Sequence, residues 1–210
     1  MFTFGDSPVP IRDDLREAFR AIWSHLAEPG PVFDARQRLG ILAAARASYS
    51  HDTHTSNIDA VTVEALAVAL YADPSSVDTA LVRAAAHEVG DPATVETIAV
   101  VAMLSAVDGT HRALGVDLEP LPEPQHGRPT GNVAEGLRCR RTLVPMPKGA
   151  IPVALDLLPD VGEAYRSSFG PLYMTEAEMG LPRFERSPGL NRSQLELIAA
   201  RTSFINECFY

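Results

Sequence analysis

The chain has 210 residues, 46% of them hydrophobic and 21% charged, with a formal net charge of −9. This composition suits a globular protein with a core of ordinary size, in one or two domains. The acidic balance argues against nucleic acid and against anionic membrane surfaces, because no basic stripe is available to neutralise phosphates.

No apolar run reaches the length of a membrane span. The start, Met1-Phe-Thr-Phe-Gly-Asp6, lacks the basic and apolar regions of a signal peptide, so the expected location is cytoplasmic. Cys139 and Cys208 are too few for a disulfide framework and read as free thiols in a reducing compartment.

Helical periodicity dominates, and the predicted class is all-α. From Asp13 to Ala27, residues Leu15, Phe19, Ile22, Trp23 and Leu26 recur at three- and four-residue spacing and make one apolar face. Pro29-Gly30-Pro31 ends that helix. Asp34 is placed to cap a second helix through Leu39, Leu42 and Arg46. Val61 to Tyr71 reads as a third helix, and Asp73-Pro74 starts a new segment. A fourth is expected over Val77 to Val89, closed by Gly90. Asp91-Pro92 sets a capping residue before a proline and opens a fifth helix through about Asp108. Five helices with short connections describe a bundle.

From Glu119 to Gly131 the spacing of Pro and Gly excludes helix, and residues 121–144 are read as a linker. Pro152 to Phe169 carries a weaker helical pattern. Asn191 and Gln194 stand at capping-box spacing before a strong final helix. An internal repeat joins the halves: Leu42-Ala-Ala-Ala-Arg46-Ala-Ser48-Tyr49 aligns without a gap on Leu197-Ile-Ala-Ala-Arg201-Thr-Ser203-Phe204. Residues 1–120 then form a first helical unit, and 145–210 the first part of a second.

The last fifteen residues carry the most specific pattern: Glu196, Arg201-Thr-Ser203, and Asn206-Glu-Cys208-Phe-Tyr210. This run resembles the signature of the AhpD-like / carboxymuconolactone decarboxylase family. There, a Glu, an Arg-x-Ser and an Asn-x-Cys lead into Cys-x-x-Cys, followed by a His. The resemblance implies an all-α, AhpD-like helical bundle and a thiol-dependent peroxidase activity without a cofactor or a metal. A peroxide is then the substrate, a thiol the electron donor, and the protein a homo-oligomer. Cys208 takes the place of the redox thiol, which disfavours the decarboxylase branch. Glu196 takes the place of the proton-relaying glutamate. Arg201 and Ser203 read as structural, with Arg201 and its counterpart Arg46 each expected to hold a carboxylate or a helix end.

The chain stops where the signature sets its second Cys. As it stands, it is expected to have little or no peroxidase activity, and to be unstable or to associate through its second half, where Leu195, Leu197, Ile198 and Ile205 lack a cover. If the codon after Tyr210 is UGA, it could encode selenocysteine and give Cys208-Phe-Tyr-Sec. A pseudogene, a frameshift or a deliberate boundary are the alternatives. The first unit has the frame without the chemistry, with Ile41 opposite Glu196, Thr53 opposite Cys208 and Ser56 opposite the second Cys. His51, Asp52 and His54 lack a fourth metal ligand and read as a solvated loop. Cys139, between Arg138 and Arg140, has no second thiol nearby in sequence and reads as incidental. A non-catalytic helical module, serving binding or oligomerisation, is the alternative to the peroxidase.

Overall fold

The structure, a computed structural model, describes residues 1–50, 60–148, 153–185 and 189–208. Its elements are all helical, with only two isolated β-bridges among the described residues. Helix α1 (Asp13–Ala27) buries Ala18, Phe19, Ile22, Trp23 and Leu26, the face that its spacing predicts. Helix α2 (Ala35–Ser50) starts at a reciprocal cap: the Gln37 N–H donates to Asp34 Oδ1 at 2.9 Å, and the Asp34 N–H donates to Gln37 Oε1 at 3.0 Å. Helix α3 (Val61–Ala72) follows the residues that contain His51, Asp52, Thr53, His54 and Ser56, which lie outside the described residues.

Several boundaries differ from expectation, among them that of the helical pattern from Pro152, whose helix begins only at Pro159. Helix α4 (Thr79–Val89) starts two residues late, because Pro74–Ser76 close a 3-10 turn that leaves Asp78 as the cap, accepting from the Leu81 N–H at 2.8 Å. Helix α5 (Asp91–Leu114) takes Gly90 rather than Asp91 as its N-cap and runs past Asp108 to Gly115. Gly90 and Gly115 have φ of +85° and +68°, a conformation that glycine adopts without a Cβ penalty. By length and composition α5 could cross a bilayer, which corrects the expectation that no run is long enough; here it is sheathed by other helices.

Helix α5 is the axis of the fold. It packs on α1, α2, α3 and α4, and on α6 (Pro159–Phe169). Val95, Ala99, Val100, Met103, Leu104 and Val107 from α5 meet Ile41 and Leu42 of α2 and Val63 of α3 in one buried cluster. Leu157, Leu158 and Val161, at the start of α6, belong to the same cluster. Each large apolar side chain buried there contributes about 1.5–3 kcal/mol.

Residues 116–134 contain no helix or strand, as their prolines require, yet they lie along the bundle as a strap. The Gln125, Thr130, Gly131 and Ala134 N–H groups donate to the carbonyls of Ala27, Gly30, Pro31 and Leu157 at 2.8–3.0 Å. The Trp23 indole N–H donates to the Pro120 carbonyl at 2.9 Å.

Where the strap crosses the α1–α2 turn, a buried ion pair sits beneath it. Arg38 and Glu96 are both 0% exposed, with Nε and Oε1 3.2 Å apart. That contact is close but poorly aligned as a hydrogen bond. Direction comes from the backbone instead: Arg38 Nη1 donates to the carbonyls of His25 and Glu28 at 2.7 and 2.8 Å, and the Val32 and Phe33 N–H groups donate to Glu96 Oε2 at 2.8 and 3.2 Å. A Cβ at Gly30 would collide with the Glu96 carboxylate, which the ion pair and the backbone donors hold in place.

Candidate functional site

After the one-turn helix α7 (Glu176–Met179), Glu196 lies on α8 (Arg192–Ile205) and Cys208 just past its end. Its start has the predicted capping box, with the Gln194 N–H donating to Asn191 Oδ1 at 3.1 Å and the Asn191 N–H donating to Gln194 Oε1 at 3.0 Å. Among the described residues α8 packs on no other helix and buries none of its side chains. It is held by the preceding segment, where Arg192 Nη1 donates to the Met179 carbonyl at 2.7 Å and to the Leu181 carbonyl.

Glu196 is half-exposed on this helix. The Tyr173 hydroxyl donates to its Oε2 at 2.8 Å, and Arg192 Nε stands 3.6 Å from its Oε1. Partial burial, and then the Glu196 carboxylate, push the Tyr173 phenol up to about 12, so the phenol is a fixed donor at neutral pH. Arg192 was legible as an i, i+4 partner of Glu196. Tyr173, 23 residues away, had no sequence signal.

The end of α8 is a Schellman turn. The Cys208 N–H donates to the Ser203 carbonyl at 2.9 Å and the Glu207 N–H to the Phe204 carbonyl at 3.3 Å, with Glu207 at φ +51°. Asn206 thus serves as the C-cap of α8. Cys208 leaves the helix exposed, with a free thiol. Glu196 and Ile205 are nine residues apart, about 14 Å along the axis at 1.5 Å per residue. The helix therefore sets Glu196 and Cys208 at opposite ends rather than side by side.

The matching octapeptide on α2 has a different environment. Arg46 on α2 holds a carboxylate as expected, with Nη2 2.7 Å and Nε 3.0 Å from the buried Asp108, and it also donates to the Glu119 carbonyl at 2.9 Å. The Tyr71 hydroxyl donates to the same carboxylate and accepts from Arg112 Nη2 at 2.7 Å. Burial first, and then Asp108, push the Tyr71 phenol up to about 12. Arg112 also lies 3.9 Å from the centre of the Tyr49 ring. Arg201 does not repeat this role: it is exposed and lies over the Phe204 ring at 5.3 Å. Ile41, opposite Glu196 in the repeat, is fully buried.

Cys139 is exposed in the loop after the strap. No group of three His, Cys, Asp or Glu poised for a metal occurs among the described residues. No protein-family model, curated protein or solved structure matches the chain.

Proposed function

We propose that the protein is a thiol-dependent, peroxidase-like oxidoreductase of AhpD-like type, with Cys208 as the reacting thiol. The observation that carries this reading is the Glu196, Arg201-Thr-Ser203, Asn206-Glu-Cys208 spacing along α8 and the turn that ends it, with the thiol exposed. In this chemistry the Cys208 thiolate attacks the terminal oxygen of a hydroperoxide. The S–O bond forms, the O–O bond breaks, and the alkoxide leaves as alcohol after taking a proton. A donor thiol then displaces water from the sulfenic acid, and a second donor thiol restores Cys208 and releases a donor disulfide. The length of α8 excludes direct proton transfer from Glu196 to the thiol, so Glu196, oriented by Tyr173 and Arg192, acts only through intervening water or donor groups.

Treatment with an organic hydroperoxide and a sulfenic-acid trap, read by peptide mass spectrometry, tests this. Cys208 is expected to be labelled well ahead of Cys139, and the label is expected to vanish in Cys208→Ser. Turnover with a dithiol donor is expected to be slow, since neither thiol has a second one beside it. Equal labelling of the two cysteines would sink the assignment.

A second reading, a helical binding or oligomerisation module, is favoured by one observation. Leu197, Ile198, Phe204 and Ile205 are all exposed, and their seven-residue spacing gathers them in one stripe of α8.

A further inference from the structure

The loop after the strap concentrates charge that the chain-wide balance conceals. Arg138, Arg140, Arg141 and Lys148 fall within eleven residues, and no Asp or Glu occurs from Gly136 to Lys148. Among the described residues none of the four side chains has an ion pair or hydrogen bond. The loop is nonetheless anchored. Leu137 and Val144 pack on the buried core, an antiparallel bridge joins Arg138 to Met146, and the Thr142 hydroxyl donates to the Val144 carbonyl at 2.8 Å. Two adjoining cavities of about 540 and 360 Å³ open there and share Arg138, Arg140, Met146, Pro147 and Lys148 in their linings.

We propose that this loop is a binding site for a small molecule carrying a multiply charged oxyanion of the phosphate type. Cations held this close repel one another until an anion neutralises them. Guanidinium forks match phosphate oxygens two at a time, and a lysine adds a point charge. Met146 and Pro147 give the cavity an apolar wall for the body of a ligand, and its size is that of a small-molecule pocket. An extended polyanion fits poorly, because the cationic patch is one loop on a chain of net charge −9.

Cys139 lies between Arg138 and Arg140 and is exposed, so it reports on the site. In the full chain with Cys208→Ser, Cys139 is the one thiol left. Its rate of exchange with a dianionic aromatic disulfide, dithiobis(nitrobenzoate), is measured against added pyrophosphate at constant ionic strength. Each exchange forms a mixed disulfide and releases one thionitrobenzoate, which is read by absorbance. Pyrophosphate is expected to slow the reaction saturably and more effectively than phosphate. Arg140→Gln with Arg141→Gln is expected to weaken that protection by about a hundredfold, roughly tenfold for each charge-assisted contact. Both side chains are exposed, and a melt confirms that the variant folds. Slowing by chloride equal to that by pyrophosphate, no saturation, or full protection in the double variant would each overturn the proposal. A final arm separates a lipid headgroup from a soluble ligand. The chain is expected to stay in the supernatant when vesicles of equal phosphatidylserine and phosphatidylcholine are pelleted, and sedimentation with them would overturn the soluble assignment.

Discussion

Replacing Arg38 by Met tests the ion pair under the strap. Met fills the aliphatic part of the arginine's volume but supplies no charge and no donor. The variant strands the Glu96 carboxylate in a site with no solvent access and frees the carbonyls of His25 and Glu28. Breaking a buried pair from one side costs about 3–5 kcal/mol, mostly from the uncompensated charge. That is a large share of the roughly 5–15 kcal/mol that holds a domain together. An apolar replacement of both partners is not expected to be neutral here, because the Val32 and Phe33 N–H groups would lose their acceptor as well. The penalty also has a sign in pH. Burial raises the Glu96 carboxyl above its ordinary 4.5, and Arg38 opposes that rise. A carboxyl so raised contributes stability below its unfolded value and loses it as pH climbs through its folded value. Without Arg38 the rise is greater, so the deficit is largest at alkaline pH and shrinks on acidification as Glu96 takes up a proton. Urea unfolding followed by circular dichroism, near pH 8 and near pH 5, measures both quantities. A loss below about 1 kcal/mol, typical of an exposed pair, or a deficit that grows with acid, would refute the reasoning.

Gly30→Ala is expected to cost about 2–3 kcal/mol, since its methyl group would displace the Glu96 carboxylate; an unchanged melting temperature would contradict this. His25 is held down to about 4 from 6.5 by burial and then by Arg38, and its neutral Nε2 faces Arg38 Nη2 at 3.0 Å. Its contribution is complete above pH 6.5 and is lost as pH falls toward 4, about 3 kcal/mol in all, and His25→Gln should flatten that part of the stability profile measured by denaturant titration. Leu197→Ser with Phe204→Ser, at residues 70% and 74% exposed, is expected to leave unfolding within about 0.5 kcal/mol while reducing self-association in sedimentation velocity. A larger stability loss would mean that this face is covered within one chain.

The legible part of the fold is the part set by local physics. The face of α1, the Asp34 cap and the Asn191–Gln194 box depend on residues within four positions of one another, and all three stand where the pattern sets them. The start of α4 slipped because Val77 scores as an apolar helix residue while Asp73 and Pro74 close a turn that consumes it. The end of α5 lies beyond the expected one because polar residues in its last turns, Asp108 and His111, are buried against other elements: Asp108 is claimed by Arg46, from 62 residues away. Nothing in a periodic pattern carries such a partner. The repeat shows the same limit. Arg46 and Arg201 sit in matching octapeptides, yet among the described residues only Arg46 has a carboxylate to hold, because α2 is enclosed and α8 is not. For the candidate site, the sequence names Cys208 and Glu196 but is silent on Tyr173. The arginines beside Cys139 are plain in the sequence, but a net charge of −9 does not show that Lys148 joins them around one cavity.

The clasp between Trp23 and Pro120 has a practical corollary. Trp23 is the single tryptophan of the chain, fully buried, with the edge-on Phe2 ring 5.3 Å away and the Arg46 guanidinium 5.9 Å from its centre. Intrinsic indole emission therefore comes from one junction, where the N-terminal arm, α1, α2 and the strap meet. A red shift in that emission signals that the strap has lifted, even while the helices keep their dichroism. Comparing the two signals during unfolding separates loss of the clasp from loss of the bundle, with no label added.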